Sequence, residues 1–323
     1  MESRIFTRIF HQVALSCYIL HMQYAILSFF RNLETPFLNT LANILSMLGE
    51  EGVMIFIMLI VYYVWDKRTG YCVFTSLLGA QVMTNGIKAI VRFPRPFTLH
   101  PDLLADRVET ATGYSFPSGH TTGAAAFYPA LARRSKSRWV MVAAIGLAIL
   151  IGLSRNMLRV HWPADVVVGL FIGLVFSLAV SRLVERICED RNRLVAFSSA
   201  IAVIAGFPAI IMAVLLSAHL IDSTAFSDLM KILSLAGGAY AGCVLEIRLV
   251  SFREQRTPAK AVACILLSMA GVAVIMAMKA IFPNNAYFIG SFIRYSLLGF
   301  WATGLFPFIA TRIRLMETGT SGT

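Results

Sequence analysis

LVAFSSAIAVIAGFPAIIMAVLLS, residues 194–217, runs without a single charged side chain. As a helix it is long enough to cross a hydrocarbon core about 30 Å thick. Comparable runs occur at about 12–30, 51–66, 70–91, 117–132, 139–154, 163–184, 229–247, 261–281 and 288–311. The whole chain, 323 residues, is 58% hydrophobic and 14% charged, with a mean hydropathy of +0.73. A soluble domain carries about 25% charged residues, so this composition cannot clothe a globule in polar surface and excludes a soluble enzyme. The expected fold is an all-α polytopic membrane helix bundle.

The net charge of +11 reads as topology rather than nucleic-acid binding, because Lys and Arg collect in cytoplasmic loops. One alternating set of loops holds Lys67 and Arg68, the cluster Arg133 to Arg138, the arginines of 182–193, Arg248, Arg253, Arg256 and Lys260, and Arg312 and Arg314. The opposite set has only Arg92, Arg95, Arg107, Arg155 and Arg159, and loops 218–228 and 282–287 have none. The first set is therefore expected in the cytoplasm. Segment 12–30 contains His11 at its edge, His21 and Gln23, and could cross or lie in the interface. No small-residue cleavage site closes that run, so a removable signal peptide is not expected. The five cysteines are widely spaced and lack a Cys-x-x-Cys pair, which supports neither a disulfide framework nor a zinc site.

Three clusters fall on the face with few basic residues. KAIVRFPRP places Lys88 near a helix end and Arg95 before Pro96; alone, Lys88 is explained by snorkelling to the interface. GYSFPSGHTTGAAAF, residues 113–127, puts Pro117 in a first helical turn, where Ser118, Gly119 and His120 offer backbone N–H groups to an anion. Its small residues equally suit close helix packing. SRNMLRVHWPAD, residues 154–165, spaces His161 and Asp165 by one turn, so the carboxylate can hold one ring nitrogen and leave the other as nucleophile or base. Asp165 could instead simply complement the helix dipole. Together the clusters gather two histidines, an orienting acid and three cations suited to a phosphoryl group. No His-Glu-x-x-His or other metal-ligand spacing accompanies them.

The order Lys88, Arg95-Pro96, then Pro117-Ser118-Gly119-His120, then Ser154-Arg155, His161 and Asp165 resembles the three-part signature of the type 2 phosphatidic acid phosphatase superfamily. The resemblance covers roughly residues 30–185. It implies a six-helix phosphatase core with its site at the outer leaflet and no cofactor or metal. His161 would attack phosphorus, Asp165 would orient it, and His120 would protonate the leaving oxygen. Lys88, Arg95, Ser118, Gly119 and Arg155 would bind the phosphoryl oxygens. Arg159 and Trp162 depart from the common pattern, and head-group selection is expected of them.

Residues 1–190 are thus expected to form the phosphatase core, 191–316 an extension of about four transmembrane helices, and 317–323 a disordered tail. The extension's layout resembles that of sphingosine-1-phosphate phosphatases and a group of bacterial lipid phosphatases, and NLETPFLNTLANILSMLGEE, residues 32–51, adds to it. The expected partners are a lipid phosphate or pyrophosphate and the bilayer, without nucleic acid, in a bacterial cytoplasmic membrane with the site facing outside. A phosphatase of a soluble ester such as a sugar phosphate, and a non-catalytic lipid-phosphate binder or transporter, are the alternatives; haloperoxidase chemistry ranks behind them.

Overall fold

A computed structural model describes residues 18–282 and 286–319. The start of the first apolar run and residues 320–323 of the expected tail lie outside the described residues. Besides short helical turns such as Pro96–Leu99, eleven longer helices carry the described chain: α1 over 18–32, α2 Pro36–Leu48, α3 Glu51–Trp65, α4 Lys67–Val91, α5 Gly119–Ala132, α6 Arg138–Met157, α7 Pro163–Ile187, α8 Arg191–Ser217, α9 Ser223–Val250, α10 Pro258–Ala280 and α11 Tyr287–Arg312. Six of them, α6 to α11, are long and apolar enough to cross a membrane, and α2 with α3 forms a seventh candidate bent by 51°. The chain is a membrane helix bundle, and four of the long apolar helices follow residue 190.

Local sequence explains the helix starts. Asp66, Ser118, Asp190 and Asp222 each cap a helix by accepting a bond from a backbone N–H of the first turn, satisfying donors that have no helical acceptor. Pro36, Pro163 and Pro258 occupy first turns, where a missing N–H costs nothing. On α8 and α10 the side chains of Val203, Phe207, Leu266 and Val274 face outward, as a lipid-facing surface requires.

Two helices differ from the expectation. α4 is buried along most of its length and carries Thr75, Ser76, Gln81, Thr84 and Lys88 inward; it contacts protein, not lipid, on several sides. α5 has 14 residues, about 21 Å at the helical rise, because its capped start at Ser118 is fully buried inside the bundle. Small residues let neighbours reach it. A Cβ on Gly169 would lie 2.9 Å from the Ser118 carbonyl oxygen, and one on Gly152 would lie 3.1 Å from Thr121 Cγ2.

The first and last parts of the chain share one core. Tyr62, Tyr63, Tyr71 and Phe74 pack with Leu233, Tyr240, Phe252 and Phe306. Tyr240 donates its hydroxyl to Thr75 Oγ1 at 2.7 Å, and Lys67 Nζ pairs with the fully buried Glu246 at 2.9 Å. The tail differs from the expected disorder at its beginning: Phe252 and Thr318 form a β-bridge, and Arg253 N donates to Glu317 O at 2.8 Å, so residues 317–319 have backbone partners.

Candidate active site

The chemistry-bearing residues meet where α4 ends and α5 and α7 begin. Asp165 stands in the first turn of α7 and accepts the Trp162 backbone N–H at 2.9 Å, the Ser115 hydroxyl, and His161 Nδ1 at 3.1 Å, all through Oδ2. Asp165 Oδ2 thus meets both the backbone N–H that begins the helix and the His161 ring. Arg95 Nη1 lies 3.2 Å from His161 Nε2. A guanidinium can only donate, so Nε2 carries the lone pair and Nδ1–H points at Asp165. That is the tautomer a nucleophilic Nε2 needs.

Arg95 is held by the backbone. It donates to the carbonyls of Gly113 at 2.9 Å, Thr112, Tyr114 at 3.4 Å and Val160 at 3.0 Å. Burial draws its pKa down to about 10, so it remains a cation at neutral pH. Burial, then Arg95, Lys88, Arg155 and His120, holds His161 well below the ordinary imidazole value, because an apolar setting and nearby cations both disfavour imidazolium.

Lys88, Arg95, Gly119, His120 and His161 line a single cavity of about 390 Å³. Lys88 Nζ would stand 3.8 Å from a Cβ placed on Gly119, over the start of α5, and it makes no hydrogen bond to the described protein. His120 Nε2 is shielded and also has no partner among the described residues. The N–H groups of Gly119 and His120 precede any helical acceptor, whereas Ser118 N already donates to Asp165 O at 3.0 Å. Ser118 Oγ accepts Thr121 Oγ1 at 2.9 Å. Neither Ser118 nor Arg155 is among the cavity's lining residues. Arg155 is fully buried, donating to Ser46 Oγ and, at 3.3 Å, to Thr110 Oγ1, a hydroxyl-bearing residue that does line the cavity.

Arg159 and Trp162 point elsewhere, which corrects the head-group expectation. Arg159 is buried, with Nη1 on Glu34 Oε2 at 2.9 Å and Nη2 on Leu104 O at 3.0 Å. Trp162 is fully buried against Leu27 and Leu103 and donates Nε1–H to Pro94 O at 3.0 Å. Both tie α1 and the 92–116 loop to the start of α7. Arg159 also holds a left-handed backbone, φ 60°, which glycine adopts without cost. Arg159→Gly is accordingly expected to lose the ion pair, lowering stability by about 2 kcal/mol. A melting curve in detergent checks this, with the ratio of kcat/KM between two substrates unchanged.

Several lining residues carried no motif. Glu50 and Glu51 belong to the quoted 32–51 stretch, but Gln81, Thr112, Asp228, Lys231 and Tyr295 were not singled out for chemistry. Asp228 accepts Thr112 Oγ1 at 2.9 Å and Lys231 Nζ at 2.9 Å, while Tyr114 donates its hydroxyl to Asp222 at 3.1 Å. The start of α9 thus grips the loop whose carbonyls hold Arg95.

Residues 69–189 match the PAP2 superfamily, and residues 230–318 match the PAP2 superfamily phosphatase transmembrane extension. An undecaprenyl-diphosphatase of Sulfolobus acidocaldarius is 31% identical over 142 residues, 42% of this chain and 66% of the relative. A lipid A 1-phosphatase of Rhizobium etli is 33% identical over 36% of this chain and 51% of its own, so this chain spans about half to just under two thirds of these two relatives. Phosphatidylglycerophosphatase B of Bacillus subtilis is 28% identical over 50% of this chain and 82% of its own. The crystal structure of a transmembrane PAP2 type phosphatidylglycerolphosphate phosphatase from Bacillus subtilis aligns at 25% identity over 54% of this chain and 96% of its own, with a TM-score of 0.44. The chain belongs to the PAP2 superfamily, with a PAP2 domain over residues 69–189 followed by the family's transmembrane extension over residues 230–318.

Proposed function

We propose that this protein is a membrane phosphatase that hydrolyses a lipid phosphate or lipid pyrophosphate through a phosphohistidine, at the extracytoplasmic face. The observation that carries this reading is the His161 tautomer: its Nε2 lone pair meets the cavity that Lys88, Arg95 and His120 also line. In the first step His161 Nε2 forms a bond to phosphorus as the ester P–O bond breaks, and His120 gives its proton to the departing oxygen. Lys88, Arg95 and the N–H groups of Gly119 and His120 hold the phosphoryl oxygens as charge grows on them. In the second step His120 takes a proton from water, which attacks phosphorus and releases phosphate and His161. Among the described residues, no three His, Cys, Asp or Glu side chains gather in a group that could hold a metal.

The sidedness has its own support. Arg68, Arg133, Arg134, Lys136, Arg182 and Arg186 line one shared hollow beside the start of α4, and the cavity lies near the end of that helix, about 30 Å away at the helical rise. Basic loops favour the cytoplasm, which supports a cavity facing away from it.

Phosphate release by the purified protein from undecaprenyl diphosphate, phosphatidic acid, phosphatidylglycerophosphate and a sugar phosphate tests the reading. Release from a lipid with EDTA present is expected; release from the sugar phosphate alone, or none at all, refutes it. The same assay reads pH dependence. His161 must be neutral to attack and is held well below its usual 6.5, so it stays active through neutral pH and is lost only as pH falls past that lowered value. The limb of kcat/KM due to His161 is therefore expected below pH 6.5; a half-point near 7 would contradict it.

A further inference from the structure

The cavity has a wall that the PAP2 motifs do not supply. Asp228, Lys231, Ile232 and Leu235 come from α9, Tyr295 from α11, and Glu51 from the first turn of α3. Lys231 is already neutralised by Asp228, whose other oxygen accepts the Thr112 hydroxyl. Glu51 and the Tyr295 hydroxyl make no hydrogen bond to the described protein. The wall therefore offers a free carboxylate, a phenol and an occupied ion pair.

Such a lining asks for hydrogen-bond donors. A carboxylate only accepts, and a phenol can do either. Glu51 is exposed and Tyr295 half-buried, so water meets both until a ligand that brings hydroxyl or ammonium groups takes its place, whereas a ligand without donors would leave the carboxylate unmet once the water is displaced. A second phosphoryl group brings only acceptors and negative charge beside Glu51 and Asp228, and Lys231 is not free to meet it. The phosphate end of the cavity, with Lys88, Arg95 and the start of α5, has the opposite character.

We infer that this wall is a head-group subsite, built jointly by Glu51 and the C-terminal extension, which selects phosphate monoesters whose leaving group carries hydroxyl or amine donors over diphosphates. The inference rests on the phosphatase reading above and narrows its substrate class. Asp228 serves it as a positioning residue, holding Lys231 and the 112–114 loop; Glu51 and Tyr295 are the contacts to the leaving group.

Three substrates with one alkyl chain separate the possibilities: dodecyl glucoside 6-phosphate, dodecyl phosphate and dodecyl diphosphate, assayed with the full chain in the same detergent. Glucose 6-phosphate, as a fourth, distinguishes a lipid source of the head group from a soluble one. The wild-type protein is expected to favour the glucoside over the diphosphate by at least about tenfold in kcat/KM. Glu51→Gln and the conservative Tyr295→Phe are each expected to shrink the glucoside-to-dodecyl-phosphate ratio about tenfold, through KM, with size-exclusion profiles matching the wild type. Equal use of diphosphate and glucoside by the wild type, or variants that slow every substrate alike, overturns the subsite. Release from none of the four with His161 intact overturns the phosphatase reading and the subsite with it.

Discussion

His161→Ala is expected to abolish phosphate release, reducing kcat by about 10⁴-fold or more, because no other imidazole in the cavity has an acid fixing its tautomer. His120 lines the same space, but its Nε2 has no partner among the described residues and so no group that would make it a defined nucleophile. The variant should still fold. Asp165 keeps the Trp162 N–H and the Ser115 hydroxyl, so the start of α7 remains capped when the ring is gone. Labelled substrate quenched within one turnover should leave acid-labile phosphate on the wild-type chain and none on the variant. Full activity in His161→Ala would end the phosphohistidine proposal.

Gly238→Val is expected to cost more in folding than any change to the cavity. α9 and α11 approach through glycines: a Cβ on Gly238 would fall on the Ser296 carbonyl, one on Gly242 on Thr303 Oγ1, and one on Gly299 on the Leu235 carbonyl. These obstacles are mostly backbone, so neither helix can yield by a side-chain rotation. The helices would have to part, breaking the bond from Thr303 Oγ1 to Ala239 O at 2.6 Å. A loss of about 3 kcal/mol or more is expected, read as a lower melting temperature in detergent and a lower yield of monodisperse protein. Gly146→Val is the control, since nothing lies within 4 Å of that position. Activity should fall with the first variant although Gly238 does not line the cavity, because α9 also carries Asp228 and follows Asp222, the two grips on the 112–114 loop. An unshifted melting curve for Gly238→Val would contradict the packing described.

The membrane bundle was legible because an uncharged run such as 194–217 has one physical use. Lys88, Arg95, His120 and His161 stood out for a different reason: ionisable residue types are costly inside a bilayer and mark a candidate site where they gather, and Gly119 came with the Pro-Ser-Gly-His motif beside them. What could not be read were the sites settled by single long-range bonds. Nothing in the spacing of Arg159 tells that Glu34 occupies its guanidinium, or that Arg155 turns toward Ser46 and Thr110 rather than into the cavity. Asp222 and Asp228 belong to no motif; Asp222 is a helix cap, and it is Tyr114 and Thr112, far away in sequence, that give both a further use. The buried start of α5 was hidden as well, since composition reports how apolar a helix is but not how deep it begins.

Three donors converge on Oδ2 of Asp165: a backbone N–H that starts a helix, a hydroxyl from the preceding loop, and the imidazole. One oxygen atom thus answers to two masters, architecture and reactivity. Any substitution that retunes the basicity of His161 through this carboxylate also loosens the beginning of α7. Directed evolution of a faster or differently tuned variant should therefore find its gains at Ser115, or at the carbonyls around Arg95, and leave position 165 untouched.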